Sequence, residues 1–108
     1  MNTVTIMGNI GNAPDIKYLE SGTCIAEFSV AVNKYNAKTK ENTPHWISCK
    51  AYGKTAEVIG EYFGKGTKIA ITGELAVDSW KDKESGQSRS KTYVLVNKVD
   101  FTEKKKDE

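Results

Sequence analysis

The chain has 108 residues and a mass of 11.9 kDa, enough for one domain and too little for a second core. Its apolar runs are far shorter than the roughly 20 residues a membrane-crossing helix needs, and Met1-Asn2-Thr3 opens no basic or long apolar stretch, so neither a membrane span nor a secretion signal is expected. Net charge is only +2, and a single histidine (His45) with two distant cysteines (Cys24, Cys49) leaves little from which to build a metal centre or a histidine-based catalytic site.

Residues 3–10 alternate, with Val4 and Ile6 on one face, and predict a strand; Gly8 and Gly11 then permit a bend. Asn12-Ala13-Pro14-Asp15 reads as a turn, residues 16–20 as a short strand and Ser21-Gly22 as another turn. Residues 23–33 give the clearest strand: Cys24, Ala26, Phe28, Val30 and Val32 fall on one face, Glu27 and Ser29 on the other. Residues 36–44 are polar and end in proline, which predicts a loop. Residues 45–52 alternate again, with Ile47, Cys49 and Ala51 inward and Trp46, Ser48, Lys50 and Tyr52 outward.

The period then changes. Ala56, Ile59 and Phe63 recur at helical spacing over residues 54–63, flanked by Val58 and Tyr62, and Gly64-Lys65-Gly66 is expected to stop the helix. Residues 67–77 return to period two with Ile69, Ile71, Leu75 and Val77 inward, and Gly73 among them suits a bend in a barrel wall. Residues 81–90 read as a hairpin loop, residues 91–101 as a last strand, and residues 102–108 as a charged, disordered end.

Three strands, a helix and two strands, with the short 16–20 segment uncounted, is the order of the OB-fold. The expected class is therefore all-β: a five-stranded Greek-key barrel over residues 1–101, with one helix between the third and fourth strands. The alternative is an open β-sandwich decorated by a helix. Cys24 and Cys49 suit small core positions on neighbouring strands.

Positive charge gathers in two segments. Residues 34–54 carry five lysines against one acid, and residues 65–98 carry six lysines and an arginine against four acids. An outward strand face reading Trp46, Ser48, Lys50, Tyr52 is unusual for a surface that merely meets water, because large exposed rings favour a partner. Single-stranded nucleic acid is such a partner: unpaired bases stack on rings while lysines neutralise phosphates. Tyr35 and Trp80 stand at the edges of the two basic segments, and on an OB barrel such loops and faces form the oligonucleotide groove. No nucleophile triad, P-loop or carboxylate cluster is present, so an enzyme and a bound cofactor or metal are not expected.

The sequence also resembles the bacterial-type single-stranded DNA-binding proteins across residues 2–101. The resemblance is carried by Val4-Thr5-Ile6-Met7-Gly8-Asn9-Ile10-Gly11, by Phe28-Ser29-Val30-Ala31-Val32 and by the run from Trp46 to Glu57. Tyr62-Phe63-Gly64-Lys65-Gly66, Gly73-Glu74-Leu75, Trp80 and Ser85-Gly86-Gln87 complete it. It implies sequence-independent binding and protection of single-stranded DNA in replication, recombination and repair, by a cytoplasmic, nucleoid-associated homotetramer, with a dimer as the variant. Trp46, Tyr52, Tyr35 and Trp80 match base-stacking positions, and Lys38, Lys54 and Lys65 match common phosphate contacts. Lys34, Lys50, Lys81 and Arg89, in the same basic segments, are further phosphate candidates. Two departures stand out. Asp78-Ser79 occupies positions where relatives are often basic, and the chain stops at Lys104-Lys105-Lys106-Asp107-Glu108 without the linker and acidic tip that recruits partner enzymes. Recruitment through such a tip is therefore not expected.

Overall fold

Alternation of small apolar and polar side chains builds the wall of the computed structural model, which describes residues 1–100. The charged end expected over residues 102–108 lies outside the described residues. The elements in chain order are β1 (Val4–Ile10), β2 (Asp15–Tyr18), β3 (Cys24–Asn36), β4 (Glu41–Tyr52), helix α1 (Gly53–Tyr62), β5 (Lys68–Lys81) and β6 (Ser88–Asp100). The strands lie in the order β1-β5-β6-β4-β3-β2, and β1 also pairs with β3, which closes the sheet into a barrel. Every ladder is antiparallel except β4–β6, which is parallel at Cys49↔Val94 and Lys50↔Leu95.

The short strand β2 reconciles the strand count with the expected five. β3 pairs with β1 at Val30 and Ala31 and with β2 over Cys24 to Glu27, so β1 and β2 form one barrel wall broken at residues 11–14. With β2 numbered separately the helix follows the fourth strand; in the barrel it follows the third.

Burial explains the alternation. Ala26, Val30 and Ala51 from β3 and β4 meet Ile69 and Ile71 from β5 and Val94 from β6 inside the barrel. Helix α1 packs Ala56 and Ile59 against this core and Phe63 follows them in, each large apolar side chain contributing about 1.5–3 kcal/mol. Both cysteines are buried and free. Gly73 marks a shift of register with β6, and a Cβ there would overlap the Leu95 carbonyl, so only glycine lets the two backbones approach.

Three expectations are corrected. The loop expected over residues 36–44 shrinks to a turn at residues 37–40, because β3 and β4 stay paired from Ile25↔Tyr52 out to Asn36↔Glu41, and the 81–90 loop likewise shrinks because β5 and β6 stay paired to Lys81↔Ser88. Pro44 is tolerated because β6 reaches β4 only at Cys49 and Lys50, so at Pro44 the strand is an edge and needs no outward N–H. Second, α1 does not stop in a left-handed glycine. Phe63 turns extended (φ −118°, ψ 117°) with its N–H still bonded to Ile59 O, and the left-handed residue is Gly66 (φ 84°) in the turn beyond. Third, Leu75 and Val77 are not inward but 50% and 56% exposed. A 14-residue strand is about 46 Å long, so β5 outruns the barrel core.

The result is a barrel carrying two β-ribbon arms, β3–β4 and β5–β6. The radius of gyration is 15.6 Å, against about 13 Å for a compact chain of this length, and the arms supply the excess.

Candidate nucleic-acid interface

The register of β3 and β4 puts Tyr35, Trp46 and Tyr52 on one face of the arm and barrel, opposite the face that buries Cys49 and Ala51. Their exposures are 58%, 60% and 41%. Trp46 is nonetheless seated: a Cβ on Gly11 would overlap its indole, so the benzo edge of the ring comes against bare backbone just beyond β1. On the other arm Trp80, Asp78 and Ala76 pair with Arg89, Lys91 and Tyr93 and so share a face with them. Asp78, Lys91 and Tyr93 line the same cleft as Ser48 and Lys50, which joins the two arms into one front surface. The four aromatics singled out from the sequence thus stand on a continuous face.

The cleft has a volume of about 300 Å³ and is lined by Ser29 and Ser48 among others. Lys50 Nζ lies 3.8 Å from Glu27 Oε1, 3.7 Å from Asp78 Oδ2 and 5.1 Å from the centre of the Tyr93 ring. Tyr93 Oη donates to Asp78 Oδ1 at 3.3 Å. Burial alone would lower the Lys50 ammonium, but Tyr52, Glu27, Asp78 and Tyr93 together hold it above the usual lysine value. Burial, followed by the charge on Asp78 and the hydrogen bond to it, raises the Tyr93 phenol.

Side chains shape both arm tips. Asn36 Oδ1 accepts from the N–H of Lys38 at 2.9 Å and of Thr39 at 3.4 Å, and Lys40 takes a positive φ of 59° to return the chain. Asp82 accepts from the Glu84 N–H at 2.9 Å and from Arg89 Nε at 2.9 Å. The Glu84 bond, then Arg89, hold the Asp82 carboxyl below the usual carboxylate range.

The cations singled out from the sequence are not equivalent. Lys38 stands at one tip, and Arg89 beside Trp80 near the other. Lys65 sits in the turn whose Gly66 N–H bonds to Ile10 O, next to the Gly11 that carries Trp46. Lys34 and Lys81 lie on the reverse faces of their arms, opposite Thr43 and Ser88. Lys54 lines a separate cleft with Tyr18, Glu57 and Glu61 beside α1. Lys50 is on the front face but held by two carboxylates.

Aromatic planes at both ends of a polar cleft, flanked by cationic arm tips, can stack flat heterocycles and neutralise a phosphate chain between them. A family model for the single-strand binding protein family matches residues 1–102. The chain belongs to this family. Among its similar proteins is Single-stranded DNA-binding protein 1 of Synechocystis sp., 40% identical over 107 residues that span 99% of this chain and 88% of that one. Single-stranded DNA-binding protein 2 of Nostoc sp. is 41% identical over 101 residues, covering 94% and 77%. The single-stranded DNA-binding protein of Fusobacterium nucleatum is 38% identical over 109 residues, covering 97% and 69%.

As a member of that family the chain shows its OB barrel with the helix in place, and two front-face groups that the sequence reading left out. Tyr93 was legible in principle: with Val94 and Val96 buried, the intervening positions of β6 face outward as Trp46 does. The pairing of Glu27 and Asp78 through Lys50 was not, because it depends on the parallel β4–β6 contact. Among the described residues no group of three or more His, Cys, Asp or Glu side chains is arranged to hold a metal ion, and no helix is long and apolar enough to cross a membrane.

Proposed function

We propose that this chain binds single-stranded DNA without regard to sequence, sequestering and protecting it in replication, recombination and repair, and that it binds without catalysing a reaction. The observation that carries the reading is the continuous front face with exposed Tyr35, Trp46, Tyr52 and Trp80. Bases stack on these rings at about 1–3 kcal/mol each, and duplex DNA offers no free base faces to them. Lys38 and Arg89 near the tips, Lys65 beside Trp46 and Lys54 beyond Tyr52 take phosphates. Lys34 and Lys81 start from the reverse faces of the arms and reach phosphates only around the arm edges.

The working form is a homotetramer in the cytoplasm, on the nucleoid. The reverse face of the β5–β6 arm, where Leu75 and Val77 stand exposed, supports self-association, since a second copy would cover that apolar surface. Light scattering should give four chains per particle; a dimer mass would replace the tetramer, and a monomer mass would remove self-association altogether.

Trp46 and Trp80 are the only tryptophans, and both stand on the proposed path. Titration of their fluorescence with an oligo-dT strand should give strong quenching that salt weakens, with little response to duplex of equal length. No quenching by the single strand would overturn the reading and leave the exposed rings as a protein interface.

A further inference from the structure

The centre of the front face is not basic. Three carboxylates line its cleft, Asp15, Glu27 and Asp78; Lys17 pairs with Asp15 at 3.6 Å, and Lys50 and Lys91 stand against the other two. The β3–β4 tip, by contrast, holds Lys34, Lys38 and Lys40 against Glu41 alone. A charge-balanced interval therefore separates two cationic arms.

The order of exposure within the ion pairs sharpens this. The Lys50 side chain is 23% exposed, whereas its partners Glu27 and Asp78 are 42% and 52% exposed. The carboxylates are the more exposed partners and lie 3.8 and 3.7 Å from the ammonium, so a phosphate approaching Lys50 also meets their negative charge. At the β5–β6 tip the order reverses: Arg89 is 55% exposed over an Asp82 that is 27% exposed, and the cation faces outward. Lys50 is further fixed over the Tyr93 ring, whose hydroxyl is tied to Asp78.

We propose that Glu27 and Asp78 cover Lys50 against the DNA backbone, so that the middle of the front face receives bases and turns phosphates toward the arms. The proposal rests on the single-stranded DNA reading and refines it. It reverses the role expected for Lys50 as a phosphate contact and makes Glu27 and Asp78 positioning residues for the path of the strand. Neutral bases lose nothing beside carboxylates, whereas a phosphate pays the like-charge repulsion.

The test measures the slope of log affinity against log salt for an oligo-dT strand. On single strands each phosphate contact contributes about 0.7 to that slope. Glu27→Gln with Asp78→Asn should uncover Lys50, steepen the slope by about 0.7 and make the gain in affinity about 2.5-fold larger at 50 mM salt than at 200 mM. Adding Lys50→Gln to that pair should remove the extra slope. Lys50→Gln alone should leave the slope of the unaltered chain in place, while Lys38→Gln should flatten it by about 0.7. The proposal is overturned if Lys50→Gln alone flattens the slope, or if the gain of the double variant survives loss of Lys50. None of these side chains belongs to the buried core, so the fold should survive the substitutions, which an unchanged urea midpoint checks. Failure of the unaltered chain to bind the strand at all is a different result and would overturn the nucleic-acid reading, taking this proposal with it.

Discussion

Trp46 owes its position to the residue beneath it. The benzo edge of the indole comes to where a side chain on Gly11 would otherwise be, which fixes the ring at the barrel end while leaving it 60% exposed. Trp46→Ala should cost about 1–3 kcal/mol of single-strand binding with an unchanged urea midpoint, because the side chain lies off the core face. Gly11→Val should weaken binding to a similar degree with the tryptophan still present, and adding it to Trp46→Ala should cost little more. Full additivity would mean that Gly11 acts elsewhere. Burial pushes the Cys49 thiol up to about 12, so at pH 8 it carries almost no thiolate. A disulfide reagent should modify it only at the rate at which the barrel opens; prompt labelling of the native protein would contradict its burial.

At the scale of elements, the strands divide into stretches that bury a face and stretches that do not. Gly73 lies where β5 passes from one to the other, and Gly73→Val should force the Leu95 backbone away and destabilise the barrel by more than about 2 kcal/mol in urea denaturation. The β5–β6 tip depends on ionised Asp82. Its carboxyl is held below the usual range, so the stabilisation is present above that range and fades as pH falls through the lowered value. The Glu84 amide signal should shift through that acid titration, and in Asp82→Asn it should already hold the shifted position at neutral pH. The same division decides what the sequence could convey. Alternation was plain in β3 and in residues 45–52 because Phe28, Val30, Cys49 and Ala51 need the core and their neighbours do not. The arms bury neither face fully, so their composition is polar and residues 36–44 look like a loop. Leu75 and Val77 keep the core parity after the core has ended, which is why parity alone misplaces them. The aromatic face was legible for the same reason that β4 was, whereas the Glu27–Lys50–Asp78 cluster joins three strands and leaves no local trace.

The whole molecule is two antiparallel leaves, β2–β3–β4 and β1–β5–β6. Within the leaves, β3–β4 and β5–β6 are paired along their lengths, whereas among the described residues the ladders between the leaves are short: Asn9↔Ala31 and Ile10↔Val30, continued by the Gly11 N–H to Ser29 O bond, on one side and Cys49↔Val94 and Lys50↔Leu95 on the other. Few backbone hydrogen bonds cross these short seams, so local opening is expected to begin there. The parallel seam lies directly under the front cleft, with Tyr35, Trp46 and Tyr52 on one leaf and Trp80 and Tyr93 on the other. A strand stacked on both leaves therefore bridges the hinge of a book and holds it shut, since a ligand that favours the closed form draws the equilibrium toward it. Amide hydrogen exchange is the natural gauge of that closure: bound DNA should slow exchange at residues 49–50 and 94–95 more than inside the long ladders of either leaf.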